Sequence, residues 1–391
     1  MTLASVNIAR AAAVSYSLLQ IEEQVLAAID SGARISLICS EFETLAPDFH
    51  RRIETLIQVS IARKIAPIAD FISLCRLCRV LWQKKFDIVH STTPKAGLLC
   101  AIAGWFVRVP IRIHTFTGQP WATKAGFARQ LLKFCDWIVA RLNTHCYADS
   151  PSQRAFLVEQ GIAPSDRLSV LGSGSLAGVD TNRFNITGYS ANDVQEIRAE
   201  LGIPTNARII LFVGRLNADK GLCELYSAFS LLCNELNDVW LVMVGPAEEG
   251  SERIFRSSAN EQAAKRIVFL GSTENPERYM AVAYLLCLPS YREGFGSVIV
   301  EAGSMGVPSI GTNIYGISDA IVHQETGLLV KPRDVLDLYQ GLKTLLEDAS
   351  LRQQMGGKAR TRVRELFDSR LVAKCLVDEY ERLLGSTRSR H

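Results

Sequence analysis

The sequence predicts an α/β protein made of two consecutive domains, each a doubly wound parallel sheet. Three observations carry that prediction. Short apolar runs alternate with helix-period segments along the chain, as expected for strands covered on both faces by helices. A polar, turn-rich break at 172–195 divides the chain. Beyond the break the same alternation begins again, and a chain of 391 residues has room for two domains.

In the first half, Arg34–Ser40 reads as a buried strand, as do Asp87–His90, Ile111–Thr115, Cys146–Asp149 and Leu168–Leu171. Residues 67–84 and 126–142 have helical period. The break opens with Gly172-Ser-Gly-Ser-Leu-Ala-Gly-Val-Asp-Thr-Asn182. In the second half, Ile209–Val213, Val239–Val244, Ile267–Leu270 and Tyr284–Leu288 are apolar strands, each followed by a helical stretch. A last helix over about 369–385 gathers Leu371, Val372, Leu376, Tyr380 and Leu383 on one face, which has to pack on something. The domains expected are 1–185 and 186–368, with 369–391 as a terminal helix and tail.

Composition excludes several classes. Apolar residues make up 48% and charged residues 21%, so the chain is not disordered, and 27 Gly with 13 Pro rule out collagen-like repeats. A net charge of +3 argues against a dedicated nucleic-acid binder. Ten scattered cysteines, mostly inside apolar runs, read as buried thiols of a reducing compartment, and six histidines with one close pair, Cys75 and Cys78, do not suggest a zinc site. The longest uncharged apolar run, Ala96–Val107, is too short to span a bilayer, and Met1–Arg10 lacks a signal-peptide layout. The expected location is the cytoplasm.

Charge is unevenly spread. Residues 1–190 hold 20 basic and 14 acidic side chains, and residues 191–391 hold 23 and 26. Between 51 and 141 the balance is 15 to 4, with Arg51, Arg52, Arg63, Lys64, Arg76 and Arg79 in its first half. Such a stretch is either a set of solvated helix faces or an attractor for anionic head groups or a diphosphate.

Ligands of open α/β sheets bind beyond the carboxyl ends of the strands, so residues that follow strands matter most. Arg215 and Lys220, in Val213-Gly-Arg-Leu-Asn-Ala-Asp-Lys-Gly221, stand between a strand and the helix at 221–234. Two cations beside a helix N-terminus make an anion site suited to a diphosphate. In Ser290-Tyr-Arg-Glu-Gly-Phe-Gly-Ser-Val-Ile-Val-Glu301, Gly294 and Gly296 permit close backbone approach, Ser297 is the expected N-cap, and Glu293 and Glu301 can accept hydrogen bonds from hydroxyl groups. In the first half, His90 and His114 each end a strand ahead of a small-residue loop, and Lys95 opens a helix. Each has an ordinary reading too, as a satisfied core histidine or a surface lysine.

Other signals are absent. Gly172-Ser-Gly-Ser-Leu-Ala177 has the letters of a dinucleotide fingerprint but continues into a turn rather than a helix. No phosphate-binding P-loop and no D-x-D occur, so Lys and Arg, rather than a metal held by paired aspartates, would neutralise a diphosphate.

Together these segments resemble the retaining glycosyltransferases of family 4, which have the GT-B fold. The carrying motifs are Gly214-Arg215 with Lys220-Gly221, Glu293-Gly-Phe-Gly296 with Glu301, Gly178-Val-Asp-Thr-Asn-Arg-Phe184 and Glu325-Thr-Gly-Leu-Leu-Val330. His90–Gly97 and Leu171–Phe184 look most like the bacterial enzymes of capsule, O-antigen and related surface glycans. The resemblance implies that Arg215 and Lys220 hold the donor diphosphate, and that Glu301 binds the ribose hydroxyls. Glu293 with the backbone of Gly294, Phe295 and Gly296 would hold the donor sugar, and the base would rest near Leu270 and Gly271. His114 matches the family's histidine beside the anomeric centre, and His90, Lys95 and Arg10 fall on the acceptor side. The glycine-rich loop that many relatives have after the first strand is missing here, where Val6–Val14 has no glycine, and Arg10 is expected to bind an anion locally. The C-terminal helix would cross back to the first domain.

The resemblance further implies a UDP-sugar as donor and a polyprenyl-diphosphate-linked saccharide as acceptor. It implies no metal or other cofactor, and a peripheral position at the inner face of the cytoplasmic membrane. Two other readings are a GT-B fold epimerase, which needs no acceptor, and a non-catalytic nucleotide-sugar-binding scaffold. Arg215, Lys220, Glu293 and Glu301 occurring together favours transfer over both.

Overall fold

The computed structural model describes residues 3–42, 45–62 and 66–388. Met1, Thr2, Arg63 and Lys64, as well as 389–391 of the predicted tail, lie outside the described residues.

The chain divides into two compact units. The first comprises Met1–Gly178 with Ser369–His391, and the second Val179–Asp368. In the first unit, β1 (Asn7–Ala11), β2 (Arg34–Cys39), β3 (Thr55–Gln58), β4 (Ile88–Ser91), β5 (Ile111–Phe116), β6 (His145–Ala148) and β7 (Leu168–Val170) form one parallel sheet, in the order β3-β2-β1-β4-β5-β6-β7. In the second unit, β8 (Arg208–Val213), β9 (Val239–Val244), β10 (Ile267–Gly271), β11 (Leu285–Leu288), β12 (Ser309–Thr312) and β13 (Gly327–Val330) form another, in the order β10-β9-β8-β11-β12-β13. Both orders reverse direction beside the first strand of the sheet, which is the doubly wound arrangement expected.

The sequence explains the central strands directly. Leu241, Val242, Met243 and Val244 of β9 are all buried because helices cover both faces, so the strand reads as a continuous apolar run rather than an alternating one. The helix Pro67–Lys84 starts with proline in its first turn and stops at Lys85, whose φ of 49° is left-handed.

The terminal helix, Ser369–Arg388, belongs to the first unit and packs on the helix Glu22–Asp30. Leu376, Tyr380 and Leu383 are buried there with Ile8, Leu18 and Val25, while Leu371 stays exposed. The crossing back to the first domain is therefore present. The join falls at Gly178/Val179 rather than at 185/186. Val179 and Phe184 are in the core of the second unit, and the Val179 N–H donates to Phe367 O at 2.7 Å.

Candidate active site

In the second unit, two glycines bring the strand ends together. Gly221 has φ +65°, and a Cβ there would lie 2.0 Å from Pro289 O. A Cβ on Gly245 would lie 2.0 Å from Gly214 O. Only glycine lets the loop after β8 press against the segment after β11 and against the end of β9.

That approach puts Lys220 on Glu293. Lys220 Nζ donates to Glu293 Oε1, and Ser290 Oγ donates to the same oxygen at 2.8 Å. Thr312 Oγ1 donates to Ser290 O, anchoring the loop from β12. The Lys220 and Glu293 side chains are each 16% exposed, so the pair is largely shielded and still reachable. Arg215 Nη1 donates to Glu248 Oε1 at 2.6 Å, and Asn217 Nδ2 donates to Glu248 Oε2 at 2.8 Å. Both cations expected to hold an anion are thus paired with carboxylates.

The helix Ser297–Ser304 begins directly after Gly296, whose φ is +84°. Gly296 is the N-cap, not Ser297, which is the first helical residue, and no side chain caps the start. A left-handed entry needs glycine, whereas the serine expected as cap would have to be extended. Glu301 sits half-buried on this helix. Burial pushes its carboxyl up to about 7, opposed by Arg183 and reinforced by Glu277. Arg183 itself forks onto Glu277, with Nε at 3.1 Å and Nη2 at 3.0 Å.

Phe295 turns its ring into the core, 5.1 Å from Phe367, so only its backbone is left to meet a ligand. Leu270 is half-buried and Gly271 exposed at the end of β10, where Gly271 O accepts the Gly245 N–H at 2.7 Å. Sequence reasoning singled out neither Glu248 nor Asn217. Asn217 lay within the motif that was read, but nothing marked Glu248, 33 positions beyond Arg215, as its partner.

The first-unit candidates are placed differently. Arg10, His90 and His114 are each 1% exposed. Arg10 donates to the Tyr380 phenol oxygen at 3.0 Å and to Gln24 Oε1 at 3.2 Å, so the anion-binding role expected of it has no open surface. His90 lies between Tyr380 Oη, 2.7 Å from Nδ1, and Thr115 Oγ1, 2.8 Å from Nε2. Burial, then the Arg10 charge and His114, hold its imidazole well below the usual range, so it is neutral. With Arg10 already donating to the phenol oxygen, the Tyr380 hydroxyl proton goes to Nδ1 and the ring proton on Nε2 goes to Thr115.

His114 Nδ1 is 2.9 Å from Ser91 Oγ, and burial lowers its pKa to about 3. Its ring fills the space of a missing side chain: a Cβ on Gly97 would lie 2.3 Å from Cε1. It is a covered histidine seated on the start of the helix Pro94–Phe106. Lys95 Nζ pairs with Asp70 Oδ1 at 2.6 Å. Among the described residues, no group of three or more His, Cys, Asp or Glu side chains is arranged to hold a metal ion.

Chemically, the second unit offers two cations, Arg215 and Lys220, and three carboxylates, Glu248, Glu293 and Glu301, in the segments that follow its strands. Residues 193–362 match the glycosyl transferases group 1 family, and residues 19–174 match the glycosyl transferase 4-like domain. The capsular polysaccharide biosynthesis glycosyltransferase CapM of Staphylococcus aureus is 30% identical over 331 residues, covering 83% of this chain and 84% of that protein. The UDP-Gal:alpha-D-GlcNAc-diphosphoundecaprenol alpha-1,3-galactosyltransferase of Escherichia coli is 26% identical over 320 residues, 81% of each chain. The structure of Anabaena Alr3699/HepE in complex with UDP and glucose superposes with a TM-score of 0.78 at 19% identity, covering 96% of this chain and 99% of that one. The chain belongs to the group 1, family 4-like glycosyltransferases, with the GT-B fold.

Proposed function

We propose that the protein transfers a hexosyl or N-acetylhexosaminyl group from a UDP-sugar to a saccharide carried on a polyprenyl diphosphate, in the assembly of a bacterial surface polysaccharide. The observation that carries this reading is the convergence of Arg215, Lys220, Glu293 and the helix bearing Glu301 in one unit. The names of the two relatives support the pathway class, and the galactosyltransferase's name supports both UDP and a lipid diphosphate. A lipid-linked acceptor assigns the reaction to a membrane surface, on its cytoplasmic side.

In this reading the donor diphosphate exchanges with the carboxylates now paired to Arg215 and Lys220. Glu301 accepts from the ribose diol, and Glu293, with the backbone of Gly294, Phe295 and Gly296, holds the sugar. Leu270 and Gly271 border the base. The bond from the anomeric carbon to the diphosphate oxygen breaks as the sugar gains oxocarbenium character. Arg215, Lys220 and the uncapped helix start stabilise the charge that develops on the leaving group. The acceptor oxygen bonds from the same face, and its proton passes to the leaving phosphate, so configuration is retained without a strong protein base. The two cations supply the positive charge, and no metal or cofactor is invoked. His114, covered as it is, acts as a positioning residue for the loop that follows β5, and Lys95, held by Asp70, orders the neighbouring helix start.

The test is a thermal-shift panel of UDP, GDP, ADP and CMP on the wild type and on Glu301→Ala, followed by transfer from UDP-sugars to undecaprenyl-diphosphate saccharides. Stabilisation by UDP that disappears in the variant is the expected outcome. Selective stabilisation by GDP would overturn the nucleotide assignment, and no response to any nucleotide would overturn the donor site.

A further inference from the structure

The helices Pro67–Lys84, Pro94–Phe106 and Gly126–Leu142 pack in sequence against one another in the first unit. Their buried sides are accounted for by the core, for example Leu77 and Leu81 in the first and Val139 in the third. Their outer sides carry large apolar residues among the charged ones. At 100° per residue, Ile68, Phe71, Ile72 and Trp82 form one stripe directly opposite Leu77 and Leu81. All four are exposed, Ile68 by 80%. With Arg79 in the same stripe, the outward face mixes large apolar side chains with positive charge, which suits a medium other than bulk water.

The other two helices continue the pattern. Trp105 and Phe106 are exposed at the end of the second. In the third, Phe127, Leu131 and Phe134 share a stripe, with Phe127 exposed by 81%, and Trp137 stacks on Phe134 at 5.7 Å. Ten of the fifteen exposed large hydrophobic residues among those described lie in these three helices.

The exposed charge within residues 66–142 has one sign. Arg76, Arg79, Lys84, Arg108, Lys124 and Arg141 are exposed. The three carboxylates of residues 66–142 are Asp70, Asp87 and Asp136, and none is exposed. Asp70 holds Lys95, Asp87 accepts the Asn7 N–H at 2.8 Å, and Asp136 accepts the Trp121 indole N–H at 2.7 Å. No helix among the described residues is long and apolar enough to cross a membrane.

We propose that the outer face of this three-helix layer docks on an anionic bilayer. Phe71, Trp82, Phe106, Phe127 and Phe134 would enter the head-group boundary while the surrounding cations meet lipid phosphates. Aromatic side chains partition to that boundary, and basic residues beside them are attracted by its negative potential. Charge complementarity selects this occupant over a second copy of the chain, which would bring the same cations against themselves. The proposal deepens the lipid-linked acceptor reading by naming the surface that brings the enzyme to its acceptor.

The experiment is co-sedimentation of the full chain with vesicles of phosphatidylcholine, with and without phosphatidylglycerol, containing neither saccharide nor donor. Wild type, Phe71→Ser/Phe134→Ser and Arg79→Glu/Arg108→Glu are compared, all of them exposed positions away from the donor residues. Expected are binding to phosphatidylglycerol vesicles that weakens with salt, and a loss of about tenfold or more in partitioning for each double variant. Variants that bind like wild type, or a wild type that ignores phosphatidylglycerol, would overturn the proposal. So would a concentration-dependent self-association that the variants abolish without any vesicle binding, since the face would then join copies of the chain. UDP stabilisation, measured on the same samples, checks that each variant is folded. Failure of vesicle binding leaves the transfer reading standing, and failure of transfer with vesicle binding intact leaves this surface standing.

Discussion

Nδ1 of His90 lies 2.7 Å from the phenol oxygen of Tyr380, 290 positions away in the chain. The same oxygen accepts from Arg10, so one hydroxyl joins β1, β4 and the terminal helix. Tyr380→Phe keeps the ring and removes that link, leaving a buried guanidinium with one partner fewer. We expect a loss of about 1–3 kcal/mol in global stability, read as a lower denaturant midpoint. A midpoint equal to wild type would mean that the network does not hold the helix.

The imidazole of His114 occupies the space that a side chain at position 97 would need. Gly97→Ala should therefore destabilise by about 1–3 kcal/mol through overpacking. In a double-mutant cycle, the penalty should shrink on a His114→Ala background, because the clash is with that ring. Equal penalties on both backgrounds would place the cost in the helix backbone instead.

Glu301 gives a pH dependence with a defined sign. Its folded carboxyl titrates at about 7 against an ordinary 4.5. Between those values the folded protein keeps a proton that the unfolded chain has released, so its contribution to stability falls as pH rises through that window. Glu301→Gln should flatten the thermal profile there. Asp136, pushed to about 7 by burial, slopes the same way, so Asp136→Asn should also flatten the profile but leave the UDP response unchanged. If accepting the ribose hydroxyls needs the ionised Glu301, UDP stabilisation should rise through pH 7 in wild type and not in Glu301→Gln.

In the proposed donor site, Glu248 would compete with a bound anion for Arg215. The pair is half-exposed, which limits the competition to a modest size. Glu248→Gln should tighten UDP binding by about two- to fivefold, measured by titration calorimetry. Lys220→Ala should do the opposite and reduce transfer by about 10²–10³. Weaker binding in Glu248→Gln would make this carboxylate a positioner of Arg215 rather than its competitor.

Much of this was legible in the sequence, for a physical reason. Strands buried on both faces announce themselves as apolar runs, so Val239–Val244 and the helices Pro67–Lys84 and Gly126–Leu142 coincide with their predicted ranges. The edge strand β3 has only four residues, of which Ile57 alone is buried, and it carried too little pattern to read. Arg215, Lys220, Glu293 and Glu301 were visible because they follow strands or open a helix. The partners of Arg10 and His90 were not visible. A buried arginine and a surface arginine look alike in one dimension, and the residue that decides between them here is Tyr380.

The first unit is made from both ends of the chain, with residues 179–368 inserted between them. A ribosome delivers those pieces in order. When Gly178 emerges, the first sheet can pair its strands, but Arg10 and His90 face a groove whose filler has not yet been synthesised. The inserted unit is whole once Asp368 is out, and only afterwards does the helix from Ser369 arrive to close the unit that was begun first. Maturation therefore runs against the order of the message. A chain that stops before Ser369 keeps every residue of the proposed donor site yet forfeits Tyr380, the keystone of its opening segment.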